Sequence, residues 1–177
     1  MCDIYGNIQP MEPGTSPDWR SHGVRVVHGD ELDLNTPQTP GMTRAAAITH
    51  ARTGATKIWA GTVTIRPNAK TGAHHHGALE SVIYVVRGRA RMRWGDRLEY
   101  VAEAGPGDFI FVPPYVPHQE INAAADEPLE CVLVRSDQEA VVVNLDIRPS
   151  NRPKQCSGSI RFTRSRGRLT LAATNSP

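Results

Sequence analysis

Cysteine is scarce. The 177 residues contain three, Cys2, Cys131 and Cys156, widely spaced and with no CxxC pair. That excludes a disulfide framework and a thiolate zinc ribbon. Cys131 lies in the apolar run LECVLV and reads as a small buried hydrophobe rather than a redox centre. No apolar run approaches the roughly 18 residues of a transmembrane helix. The first twenty residues lack a basic region followed by an apolar one, so no secretory leader is expected and a cytoplasmic location is.

Acidic residues are missing from one region. From Arg148 onward the chain carries seven basic residues and no Asp or Glu, which leaves 13 basic against 18 acidic residues ahead of it. The overall charge of +2 therefore hides a body near −5 and a tail near +7. A basic tail invites nucleic acid through a salt-dependent attraction. Stacking aromatics are nearly absent there, with Phe162 the one case, so nucleic acid is not expected as a partner.

What the chain does have is turns. Fourteen prolines and 15 glycines punctuate short runs of β-branched and aromatic residues. Strands are expected over residues 24–27, 57–65, 80–86, 109–112, 118–122, 129–135 and 139–147, with a hairpin turning at Gly95-Asp96. Residues 43–52, rich in alanine and flanked by Gly41 and Gly54, are either helix or strand, and an all-β context favours strand. This spacing predicts an all-β sandwich or barrel of one domain. Residues 1–23 form a loose arm, residues 24–147 the barrel domain, and residues 148–177 a basic tail of low order with a weak strand around 160–162.

The chemistry concentrates in residues 71–88, TGAHHHGALESVIYVVRG. His74, His76 and Glu80 share even parity, so an extended chain aims all three at one side. Imidazole with carboxylate suits a borderline or hard divalent cation. A second stretch, residues 107–122, places His118 behind the rigid PPYVP segment as a fourth ligand. His75, of opposite parity, points away. Glu120 and Asn122 share the parity of His118, and Glu120 is the candidate catalytic acid or base. Tyr84, Arg93, Tyr115 and Asn122 are candidate pocket residues.

These two stretches resemble the two motifs of the cupin superfamily. Glycine, then His74-x-His76, three residues, Glu80, a strand and Gly88 is similar to the first motif. Gly107, five residues, Pro113, four residues, His118, three residues and Asn122 is similar to the second. The 18 residues between Gly88 and Gly107 resemble the spacer of small single-domain microbial cupins of the rhamnose-epimerase-like type. There are two departures. Seven residues rather than six separate Glu80 from Gly88, and Tyr115 stands where a glycine is usual. The resemblance implies a jelly-roll β-barrel and one divalent metal ion per chain (Fe, Mn, Ni or Zn, with Fe or Mn favoured) on His74, His76, Glu80 and His118. It also implies a homodimer. The activity expected is that of a metal-dependent enzyme on a small polar molecule, an oxygenase or a lyase or isomerase. The alternative is a metal and small-ligand binding or sensor cupin without turnover.

Overall fold

The computed structural model describes Trp19, residues 23–139 and 141–156, and the strands Arg161–Ser165 and Arg168–Ala172. The expected N-terminal arm, save Trp19 and Gly23, lies outside the described residues. In chain order the strands are β1 (Met42–Ile48), β2 (Trp59–Ile65), β3 (His74–His75), β4 (Ser81–Arg87), β5 (Ala90–Trp94), β6 (Tyr100–Ala104), β7 (Phe109–Val112), β8 (His118–Asn122), β9 (Leu129–Arg135), β10 (Val143–Asn144) and β11 (Lys154–Gln155). They build a five-stranded sheet in the order β1-β2-β9-β4-β7 and a six-stranded sheet in the order β10-β3-β8-β5-β6-β11. This is the all-β architecture expected from the alternation of short strands and turns, in the jelly-roll form that the resemblance implies.

Period-two alternation decides which side chains lie between the sheets. In β9 every odd residue from Leu129 to Arg135 is buried and every even one is half-exposed. The rows of the first sheet then run Val63-Ile65, Ser81-Ile83-Val85 and Leu129-Cys131-Leu133-Arg135. Ala90 and Met92 face them from the second sheet, and these apolar residues form one core cluster. Gly88 ends β4 at φ +85, where a Cβ would stand 2.5 Å from the Pro128 carbonyl oxygen, so glycine is the residue this reversal admits.

Several expectations need correction. Residues 24–27 form no strand, and Val24 and Val26 are exposed. Residues 43–52 divide between β1 and a one-turn helix, α1 (His50–Thr53), because Thr49 caps the Arg52 amide and Gly54 closes the turn at φ 74. Among the described residues of 139–147, only Val143–Asn144 pairs as a strand, against His74 and His75 of β3. Residues 148–156, assigned to the tail, run along the second sheet. β11 pairs in parallel with β6, and the Ser150 amide donates to the Arg97 carbonyl at 2.7 Å. Further on, β12 (Arg161–Ser165) and β13 (Arg168–Ala172) form an antiparallel pair, where low order with one weak strand was expected. The remaining tail residues lie outside the described ones.

Tyr115 adopts φ +60, the left-handed region that glycine occupies without strain, and its side chain is 64% exposed. This is the position at which the sequence departs from the expected glycine. The strain there costs about 1 kcal/mol or slightly more. We expect Tyr115→Gly to leave stability unchanged or raise it by about 1 kcal/mol in a urea titration, since strain relief outweighs the added freedom of the unfolded chain. A loss of more than about 1 kcal/mol would show that the tyrosine ring is a structural support.

Candidate metal centre

Three imidazoles meet at one end of the interior. His74 on β3 lies directly opposite His118 on β8, and His76 follows two residues after His74. The ring centroids are 4.4 Å apart for His74–His118, 4.9 Å for His74–His76 and 5.1 Å for His76–His118. Each ring is held by its Nδ1. His74 Nδ1 is 3.0 Å from the Gly72 carbonyl oxygen, His76 Nδ1 is 2.8 Å from that of Val141, and His118 Nδ1 is 2.9 Å from that of Val116. A carbonyl only accepts, so each Nδ1 carries the proton and each Nε2 keeps its lone pair. Val141 reaches His76 because the chain after β9 returns beside β3 as β10.

His118 Nε2 is buried without a hydrogen-bond partner. Buried polar atoms are seldom left so, and an unmet lone pair on a tautomer-locked imidazole is what a metal ion would satisfy. Glu120, two residues along β8, turns its carboxylate to the same place. Ligand atoms of His74, His76, His118 and Glu120 all lie within 4.8 Å of one another. This donor set fits a divalent cation.

Burial favours the neutral form of two imidazoles, His76 and His118. His76 is pushed down from 6.5 to about 3, first by burial and then by the Arg135 cation, with the Val141 carbonyl opposing. His118 is lowered as well, by burial first and then by His74. Neutral imidazole is the metal-binding form. Arg135, the last inward residue of β9, points its Nη2 at His76 Nε2 at 3.3 Å. Burial, followed by the neighbouring Arg44, lowers it to about 10, which still leaves it charged at neutral pH.

The Cupin domain family matches residues 61–135, the span that holds all of these side chains. The match marks residues 61–135 as a cupin domain. Solved structures agree on the fold. The polyketide cyclase RemF of Streptomyces resistomycificus is 25% identical, with a TM-score of 0.58 over 73% of this chain and 89% of its own. KdgF from Halomonas sp. is 19% identical, with a TM-score of 0.54 over 66% of this chain and 96% of its own. An oxalate decarboxylase is 24% identical, with a TM-score of 0.55 over 65% of this chain, which spans 31% of that protein's length. No curated protein matches the sequence.

In this cupin Glu80 is not with the imidazoles. Its side chain is exposed, and its amide donates to Ser136 Oγ at 3.0 Å. The parity argument fails because a turn separates His76 from β4. Gly77 takes φ +58, and the Leu79 amide donates back to the His76 carbonyl. After that turn the inward residues of β4 are odd-numbered. With six residues left between it and Gly88, the usual cupin spacing, the carboxylate's place falls on Ser81, which is buried and whose Oγ lacks a partner. The carboxylate comes from Glu120 on β8 instead.

The pocket candidates also scatter. Tyr84 lies on the opposite face of β4 from Ile83, its ring 4.8 Å from that of Phe109. Arg93 donates to the Leu98 and Ser150 carbonyls at 2.9 and 2.7 Å and so holds residues 148–156 in place. Tyr115 is at the surface, its ring 6.0 Å from that of His75, which is turned away from the three imidazoles and accepts from the Gly77 amide. Asn122 is buried at a turn, where it donates to the Ile65 and Glu127 carbonyls and accepts from the Ala124 amide. Cys131 is buried as expected, its thiol pushed up to about 12 chiefly by burial. Arg135 and Ser81 were missed, although the strict alternation of LECVLVR already puts Arg135 at the inward end of an apolar row.

Acid stability checks this electrostatic picture. Between about pH 3 and 6.5 His76 is protonated in the unfolded chain and neutral in the fold. The unfolded state then binds more protons, so stability rises with pH across that window. Metal-free protein should therefore lose stability as pH falls from 6.5, by up to about 1.4 kcal/mol per unit from this residue. His76→Gln should flatten the slope; an unchanged slope would place the titrating group elsewhere.

Proposed function

We propose that this cupin is a metal-dependent enzyme acting on a small polar molecule, with His74, His76, His118 and Glu120 holding one divalent ion. The observation that carries the reading is the set of three imidazoles locked by Nδ1–H to carbonyl bonds, with the Nε2 of His118 buried and unmet. Such an ion polarises a carbonyl or stabilises a developing oxyanion as a Lewis acid.

The protein's own residues do the rest. The three carbonyl bonds fix the tautomer and orientation of the rings, and Ile83, Val85, Leu133 and Met92 make the adjoining interior apolar. Arg135 adds a positive charge on the side of His76, where an anion developing on the substrate would be stabilised. A cavity of about 590 Å³, lined by Trp94, Ile110, Val112, Pro113 and Val116 among others, reaches His118 and offers a route for a small molecule. A divalent ion beside the Arg135 guanidinium would stabilise an oxyanion, which lyase and isomerase chemistry requires. Two of the similar structures, an oxalate decarboxylase and the polyketide cyclase RemF, give decarboxylation and cyclisation a place on this fold by analogy alone.

One observation favours the second reading, a cupin that binds metal and ligand without turnover. Among the described residues Glu120 is the only carboxylate in the cluster, and as a ligand it leaves no second acid there to move a proton. Elemental analysis separates the metal claim from both. We expect about one Fe, Mn, Ni or Zn per chain in protein purified without added metal, and its loss in His76→Ala and His118→Ala. Wild-type protein that neither carries nor takes up metal would overturn the proposal.

A further inference from the structure

We propose that Arg135 and Ser81 form an anion subsite beside the three imidazoles, that its ligand is the carboxylate of a small organic acid, and that this carboxylate and the metal reinforce each other's binding. The inference rests on the metal reading above and adds the substrate class to it.

Two buried donors here lack partners. Arg135 is 6% exposed and its Nε has no partner, while Ser81 is 2% exposed and its Oγ has none either. The two are direct neighbours across β4 and β9, in rows that face the interior. A second guanidinium lies near. Arg44 donates from Nη1 to the Pro37 carbonyl at 3.1 Å, and its own Nε is also buried without a partner. Against these two positive charges the cluster sets one carboxylate, Glu120, which is committed to the metal. Buried charge without a counter-ion is costly, so the interior lacks one negative charge before any dication arrives.

The position of Nη2 supplies the coupling. It lies 3.3 Å from His76 Nε2, on the single lone pair that a metal ion would use. Metal ligation by His76 therefore requires the guanidinium to swing off, and a carboxylate is the partner whose two oxygens match its planar fork. One monoanion balances the charge of the metal-free interior, and the apolar cavity wall at Val112, which pairs with Ser81 on β4's other side, suits the carbon frame of an organic acid. An anion that draws Arg135 away frees the His76 lone pair, so each ligand raises the affinity for the other by the same factor.

The test is zinc affinity of the full chain, by competition with a chromophoric chelator, with acetate replacing chloride at constant ionic strength. We expect acetate to tighten zinc binding about ten-fold in the wild type, less in Ser81→Ala and not at all in Arg135→Gln. The last variant should bind zinc in chloride at least as well as the wild type. No effect of acetate on the wild type, or an equal effect in Arg135→Gln, would overturn the proposal, and an equal effect of phosphate would overturn the carboxylate class. The thermal midpoint of metal-free protein separates this inference from the metal reading. An acetate-dependent rise lost in Arg135→Gln sustains the anion subsite even if zinc never binds, and its absence in the wild type overturns the subsite whatever zinc does.

Discussion

Three hydrogen bonds from imidazole Nδ1 to backbone carbonyls set the character of the interior. Each fixes a tautomer and an orientation at once, and together they turn three Nε2 lone pairs toward one point. Two of the carbonyls, Gly72 and Val116, lie two residues before the histidine they hold, so they follow from local strand and turn geometry. The third, Val141, arrives from 65 residues away. The returning chain and its short β10 pairing with β3 are therefore part of the site, although they bury little of their own surface.

Around those bonds the interior departs from a balanced arrangement of charge. The carboxylate has moved from the strand after the first histidines to the strand of the last one, and a serine fills the inward place it left. Arg135, beside that serine across β4 and β9, turns its guanidinium to His76. An interior so arranged holds cations on one sheet and ligand lone pairs on the other, and it is completed by a metal ion and an anion together rather than by either one.

Much of this was legible in the sequence. Short runs of β-branched and aromatic residues between turns located β2 and β9, and the paired motifs located three of the four donors. Glu80 was misplaced because parity persists only within an unbroken strand, and the left-handed turn at Gly77 resets it. Asn122, Tyr84 and Arg93 were misjudged for a related reason. Parity gives a face, whereas their partners, carbonyls 5 to 57 residues away and the Phe109 ring, come from tertiary structure. The hairpin of β12 and β13 follows no clear alternation and carries many arginines, which hid it.

The central claim is that the fourth donor is Glu120 and not Glu80. Zinc affinity of Glu120→Gln beside Glu80→Gln tests it most directly, since both substitutions keep size and remove one negative charge. The account predicts a loss of at least about ten-fold in Glu120→Gln and wild-type affinity in Glu80→Gln. The reverse pattern would contradict it and return the carboxylate to the strand that follows His76.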